Sequence, residues 1–187
     1  MARVFLAIDL PNHLKSFIEQ EQVKWKQVKS GVKWVRPNLL HLTLKFLGEV
    51  PEEQLPTISE SLKDICNNHP SFSLSLNGIG VFPTPVRPKV FWIGLAGELD
   101  KLKALHTDIE TNLAQLGFAV EKRKFSPHIT IARAKTNKNL NRLVTELAKT
   151  KLPTAPFGVD NVVLYKSILS SQGPKYIPII QNFLLTS

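Results

Sequence analysis

The chain predicts an α+β fold with antiparallel or mixed sheets, on three observations. Short stretches alternate apolar and polar residues with the period of a strand, longer ones repeat apolar residues with helical period, and most connections are too short for a uniformly parallel sheet. Residues 3–9 read as a strand apolar on both faces, hence central. Pro11 opens a helix whose Leu14, Phe17, Ile18 and Trp25 fall near one stripe, and Gly31 ends that segment. Residues 32–35 are a short extended piece, and Pro37-Asn38 turns the chain into a strand that starts at His41 and that Gly48 terminates. A helix spans about 52–67 with Leu55, Ile58, Leu62 and Ile65 at helical spacing, and Pro56 allows its start to fall a few residues later. Phe72, Leu74 and Leu76 make the next strand. Gly78 and Gly80 bracket a turn, and Pro83, Pro85 and Pro88 stiffen a loop into the strand 90–95. Residues 100–116 form the clearest amphipathic helix, with Leu102, Leu105, Ile109 and Leu113 inward and Gly117 at its C-terminal stop. A strand at His128, a shorter helix at 140–147, and strands at 157–164 and 176–180 with the turn Gln172-Gly173-Pro174 between them complete the pattern. No linker rich in Gly, Ser or Pro divides it, so residues 1–187 read as a single domain.

Composition bounds the function. At 187 residues and 43% apolar content the chain can bury a substantial core. The apolar run at 4–8 is closed by Asp9 before it reaches secretory length, and no stretch approaches the roughly 20 apolar residues of a membrane span. A single cysteine, Cys66, excludes an intramolecular disulfide and a thiolate metal cluster, which makes the cytoplasm the expected compartment. The net charge of +9 suits a polyanionic partner, although plain solubility would also account for it. Basic residues bunch at 87–89, 122–124 and 135–138, and the last two bunches flank the strand at His128, which favours RNA or a nucleotide.

One stretch repeats. His41-Leu42-Thr43-Leu44 returns eighty-seven residues later as His128-Ile129-Thr130-Ile131, and an arginine stands five residues before each histidine, Arg36 and Arg123, compatible with an internal duplication. In each copy period-2 alternation puts the imidazole and the threonine hydroxyl on one face. Two imidazoles suit metal-free cleavage of a phosphodiester. One takes a proton from the attacking oxygen while the other gives one to the leaving oxygen, and a group titrating near pH 6.5 can play either part. Thr43 and Thr130 can donate to the non-bridging oxygens, where charge collects. Arg133 would add a cation, but strict alternation puts it opposite His128 unless the strand bulges or ends first. A lone strand histidine is commonly a surface or packed residue, and it is the repetition that argues for a paired site.

The remaining candidates carry less. His13, His69 and His106 have no ligand-spaced neighbours and read as solvated, which argues against a metal site. Cys66 reads as packing, and Trp25, Trp34 and Trp92 as core or rim residues rather than base-stacking platforms. Neither a P-loop nor a Gly-x-Ser-x-Gly elbow is present.

With these residues in hand the chain resembles the 2H phosphoesterase superfamily, and within it the RNA 2′,3′-cyclic phosphodiesterase, or 2′-5′ RNA ligase, family. The resemblance runs through Arg3-Val4-Phe5-Leu6-Ala7-Ile8, Trp34-Val35-Arg36-Pro37, both tetrads with Lys45-Phe46-Leu47-Gly48 after the first and Ala132-Arg133 after the second, Val81-Phe82-Pro83, the strand 90–95, Tyr165-Lys166-Ser167 and Gly173-Pro174-x-Tyr176. The approach Pro37-Asn38-Leu39-Leu40-His41 departs from the family's Pro-Glu-Asn-Leu-His. The resemblance implies a bilobal fold with two antiparallel sheets facing each other across a groove, and hydrolysis of terminal 2′,3′-cyclic phosphates to 2′-phosphates without metal or nucleotide cofactor. It further implies His41 as proton donor to the 3′ oxygen, His128 as the base on water, RNA or nucleotide ends (tRNA fragments among them) as partners, no membrane association, a monomer, and a reverse 2′-5′ ligation. From the residues alone the two histidines are interchangeable. A nucleotide- or RNA-binding module of the same fold with little turnover is the alternative.

Overall fold

The structure, a computed structural model, describes residues 1–171 and 173–186. Along the chain run β1 (Ala2–Asp9), α1 (Asn12–Trp25), β2 (Val32–Trp34), β3 (His41–Val50), α2 (Leu55–Cys66), β4 (Phe72–Thr84), β5 (Arg87–Gly97), α3 (Leu99–Gln115), β6 (His128–Ala134), α4 (Leu140–Leu147), β7 (Phe157–Val159), β8 (Asn161–Ser170) and β9 (Gly173–Phe183). The strands lie in the order β7-β4-β5-β6-β3-β1-β8-β9, with β2 on β6, and each named pair is antiparallel.

The two halves of this sheet, β7-β4-β5-β6 and β3-β1-β8-β9, meet through a single register pair, Leu42 with Ile129. The expected pair of antiparallel sheets is therefore present, fused along the motif strands. Each half repeats one path: a strand, a helix, then a motif strand that pairs antiparallel with the first (β1-α1-β3 and β5-α3-β6). After α2 the chain crosses into the second half as β4, and after α4 and β7 it returns to the first as β8. Leu6, Leu42, Phe91 and Ile129 of the sheet belong to one buried cluster with Ile18, Leu62, Leu105 and Leu143 of the four helices. With that face dry, the alternate residues of β3 and β6 must lie on the other face.

The structure moves some boundaries read from the sequence. β3 runs past Gly48 to Val50, because Gly48, at φ 79°, sits at a bulge where Val4 pairs with Gly48 and Phe5 already pairs with Phe46. The turn expected at Gly78 and Gly80 and the proline loop after it are one long hairpin of β4 and β5. A register shift between Leu76 and Ile79 absorbs Gly78, and Gly80 has no Cβ because the Trp92 ring would lie 2.3 Å from it. The strand expected at 157–164 is two strands at distant places in the sheet, separated at Asp160. α1 ends at Trp25, before Gly31, and α2 starts at Leu55 with Pro56 in its first turn. Of the turn at Gln172-Gly173-Pro174, Gln172 lies outside the described residues, while Gly173 and Pro174 open β9. His69 and His106 are not solvated: His69 Nε2 lies 2.7 Å from Asp108 Oδ2, and the His106 ring stacks on Phe125 at 3.8 Å. Cys66 is buried, and burial pushes its thiol up to about 11, out of reach of nucleophilic chemistry at neutral pH.

A buried ion pair ties the motif strand of the first half to the chain that leads into the second. Lys45 Nζ donates to Glu110 Oε2 on α3 at 2.6 Å and to the Ala119 carbonyl at 2.8 Å, and the Glu121 amide donates to the same Glu110 oxygen at 3.0 Å. Removing Lys45 strands a carboxylate in the core, which costs about 3–5 kcal/mol, whereas apolar replacement of both partners is close to neutral. Lys45→Met should thus lower the urea midpoint strongly, and Lys45→Met with Glu110→Leu should recover most of the loss. A single variant as stable as the wild type would show that the pair does not hold this loop.

Candidate active site

Leu42 and Ile129 point into the core, 2% and 0% exposed, so His41, Thr43, His128 and Thr130 share the opposite, open face. Antiparallel register about Leu42 and Ile129 sets His41 across from Thr130 and Thr43 across from His128. The two imidazoles therefore occupy a diagonal, for which residue spacings are about 7–8 Å in a regular ladder and Cβ atoms lie somewhat closer. Among the described residues no second register pair joins the two strands, and the open face between the two rings is the groove.

Both rings are oriented alike. His41 Nδ1 donates to the Leu39 carbonyl at 2.7 Å, and His128 Nδ1 donates to the Ser126 carbonyl at 2.6 Å, the residue two positions earlier in each case. A carbonyl only accepts, so each Nδ1 carries the proton and each Nε2 of the neutral ring presents a lone pair. His41 Nε2 takes a hydrogen bond from Thr43 Oγ1 at 2.9 Å. The arginines at the same spacing are not equivalent: Arg36 donates to the Pro174 carbonyl at 2.6 Å, while the exposed Arg123 pairs with Glu121.

Each motif strand breaks its alternation at the same place. On β3 Thr43 pairs with Ala7 and Lys45 with Leu6, so Leu44 is an extra residue. On β6 Thr130 pairs with Trp92 and Ala132 with Phe91, so Ile131 is extra. Each bulge leaves two consecutive buried residues, Leu44-Lys45 and Ile131-Ala132, and returns the next residue to the open face. Arg133 consequently stands on the same face as His128, contrary to strict alternation, and its charge reaches His41 and Tyr176. The matching position on β3 is Phe46, 69% exposed, which sequence alternation did not single out.

The surroundings distinguish two identical tetrads. Phe5 lies 5.0 Å from the His41 ring, Tyr176 meets that ring edge-on at 5.4 Å, and Tyr165 stacks on Phe5 at 5.4 Å. Burial among these groups lowers the His41 pKa below its ordinary value, against the raising effects of the Leu39 carbonyl and Asp9, while Lys15 and Arg133 lower it further. Burial also raises both tyrosines, Tyr165 to about 12, so each stays a neutral hydroxyl. Beside His128 stand Phe82, edge-on at 5.1 Å, and Trp92 at 6.2 Å. Trp92 is thus a wall of the groove as well as a packing residue. Among the described residues no three His, Cys, Asp or Glu side chains are grouped to hold a metal ion, and no helix is long and apolar enough to cross a membrane.

Two pseudo-equivalent strands thus each carry a histidine and a threonine on the open face of the sheet, His41 and Thr43 on β3 and His128 and Thr130 on β6. The family model described as 2'-5' RNA ligase superfamily matches residues 13–169, and the chain belongs to that superfamily. It is 38% identical over 146 residues to an RNA 2',3'-cyclic phosphodiesterase of Aeropyrum pernix, covering 78% of this chain and 82% of the relative. To the protein of the same name from Thermotoga maritima it is 35% identical, covering 93% and 91%. Among solved structures, E. coli LigT complexed with 3'-AMP superposes with a TM-score of 0.78 at 28% identity, covering 98% of both chains.

Two measurements check these surroundings. In NMR titrations His41 should lose its proton below the free-histidine value of about 6.5, and inorganic phosphate should raise its pKa. An ordinary titration unmoved by phosphate would contradict the buried, anion-facing ring. Burial also lowers His106, so with His41 the unfolded chain binds more protons than the folded one as pH falls below about 6.5. Stability from these two groups is present above that value and lost on acidification towards their folded values. The urea midpoint should be lower at about pH 5.5 than at about pH 7.5, and the difference should shrink in His106→Gln.

Proposed function

We propose that this protein hydrolyses terminal 2′,3′-cyclic phosphates of RNA to 2′-phosphates, by acid–base catalysis between His41 and His128. The observation that carries this reading is the matched presentation of two Nε2 atoms on one groove face, each held by a carbonyl on Nδ1. The names of the relatives and the 3'-AMP in the E. coli neighbour support the substrate class.

In this mechanism water attacks phosphorus from the His128 side, and His128 Nε2 takes its proton. The bond from phosphorus to O3′ breaks, and His41 Nε2–H delivers a proton to O3′, leaving the phosphate on O2′. Thr43 and Thr130 donate to the non-bridging oxygens, and Arg133 places a cation beside them, where negative charge grows in the transition state. Phe46 offers an exposed ring on the same face for the terminal base. The same steps with a 5′-hydroxyl in place of water, its oxygen bonding to phosphorus as O3′ leaves, form a 2′-5′ junction.

The low pKa of His41 in the free protein bears on its role as donor, since a donor must start protonated. A phosphodiester anion about 4 Å away contributes about 4 kcal/mol at an effective dielectric of about 20, roughly a thousandfold in the protonation ratio. The substrate itself therefore charges His41. The alkaline limb of kcat/KM, which reports the free enzyme, should lie below that of kcat, which reports the complex. Coincident limbs would remove His41 as the donor.

His41→Ala and His128→Ala should each lower turnover of a cyclic-phosphate-ended oligonucleotide by about 10² to 10⁴, with native circular dichroism and with wild-type activity undiminished by chelator. Arg133→Gln should lower kcat by about 10², the loss of one transition-state donor. Full activity in either histidine variant would end this reading.

A further inference from the structure

Away from the groove, the tip of the β4–β5 hairpin and the start of α4 enclose an open cleft of about 600 Å³. Pro88 and Leu140 are its buried members, and Arg87, Lys89 and Arg142 line it together with Asn137 and Asn141. Some exposed cations elsewhere on this protein have a carboxylate close by, as Lys24 has Glu21, Lys101 has Glu98, Lys149 has Glu146 and Lys166 has Glu52. Among the described residues, Arg87, Lys89 and Arg142 have none. Three like charges around one cavity repel each other unless an anion enters. Arg142 also stands in the first turn of α4, where the helix dipole disfavours a cation, and that turn holds no acidic residue.

The cleft lies at the end of β5 that pairs with Arg133. Val90 pairs with Arg133, so Arg87 stands three residues along β5 from the partner of Arg133, about 10 Å at strand rise. An extended single strand covers that distance within a few nucleotides. Lys135 and Lys138, on the connection from β6 to α4, continue the positive surface beside it.

We propose that this cleft binds backbone phosphate of single-stranded RNA on the 5′ side of the cyclic end, and so makes the protein prefer oligonucleotides to mononucleotides. The proposal rests on the reading of the groove as a cyclic phosphodiester site. Arg87, Lys89 and Arg142 act as phosphate clamps, and Asn137 and Asn141 offer neutral donors to the same backbone.

The test compares the wild type, the variant Arg87→Gln/Lys89→Gln/Arg142→Gln, and a control of equal net charge, Lys63→Gln/Lys101→Gln/Lys103→Gln. The first measurement is kcat/KM on a cyclic-phosphate mononucleotide and on oligonucleotides of increasing length ending in the same group. The wild type should improve with length, and the cleft variant should fall about tenfold on the longer substrates while keeping its mononucleotide rate. The second is fluorescence anisotropy with a labelled 3′-hydroxyl oligoribonucleotide of about ten nucleotides, which needs no turnover. In the cleft variant the slope of log affinity against log salt should lessen by up to about 2, at about 0.7 for each phosphate no longer neutralised. Equal losses in the cleft and control variants, or an unchanged salt slope, would overturn the proposal. Absence of cyclic-phosphate turnover in the wild type would defeat the groove reading instead, and the anisotropy measurement would still decide the cleft.

Discussion

Two strands that touch through one residue pair impose most of the order in this molecule. Leu42 and Ile129 must both be inside, because each extends the apolar face that the four helices cover. That one requirement turns four polar side chains, two from each strand, to the uncovered face. Residues far apart in the chain are brought together by burying what lies between them in sequence.

The groove gains its asymmetry one step further along each strand. Both bulges insert the fourth residue of the tetrad, and the two positions after it are filled in opposite senses. In the first half the buried position carries Lys45 and the open one Phe46, whereas in the second the buried position carries Ala132 and the open one Arg133. One cation is turned inside to Glu110, where it holds the chain that approaches His128, and the other stands on the open face beside the histidines, where the proposed mechanism uses it. The two halves thus present an aromatic ring on one wall and a guanidinium on the other, which suits the proposed ligand, with a base at one end and a charged phosphate at the other.

The same asymmetry reaches the histidines. Their Nδ1 atoms are held identically, so the difference lies in what surrounds the rings: Phe5, Tyr165 and Tyr176 exclude water around His41, while Phe82 and Trp92 stand beside His128. Environment, not sequence identity, separates the acid from the base in the proposed mechanism.

Much of this was readable in one dimension. Apolar periodicity located the four helices and the motif strands, and alternation within His41-Leu42-Thr43-Leu44 and His128-Ile129-Thr130-Ile131 put imidazole and hydroxyl on one face, because side-chain direction in a strand is a local property of the backbone. The bulges were not readable. Leu44 and Ile131 are apolar and suit a regular inward position, so nothing in their identity marks an extra residue, and strict alternation accordingly put Arg133 on the wrong side. The division of residues 157–164 between two distant places in the sheet, and the partnering of His69 and His106, likewise depend on contacts with segments distant in the chain. Local chemistry chose the residue types and their faces. Which of those faces converge, and where a strand gains a residue and reverses its sense, follows from cross-strand pairing and packing, whose free energy belongs to neighbours that a linear reading does not contain.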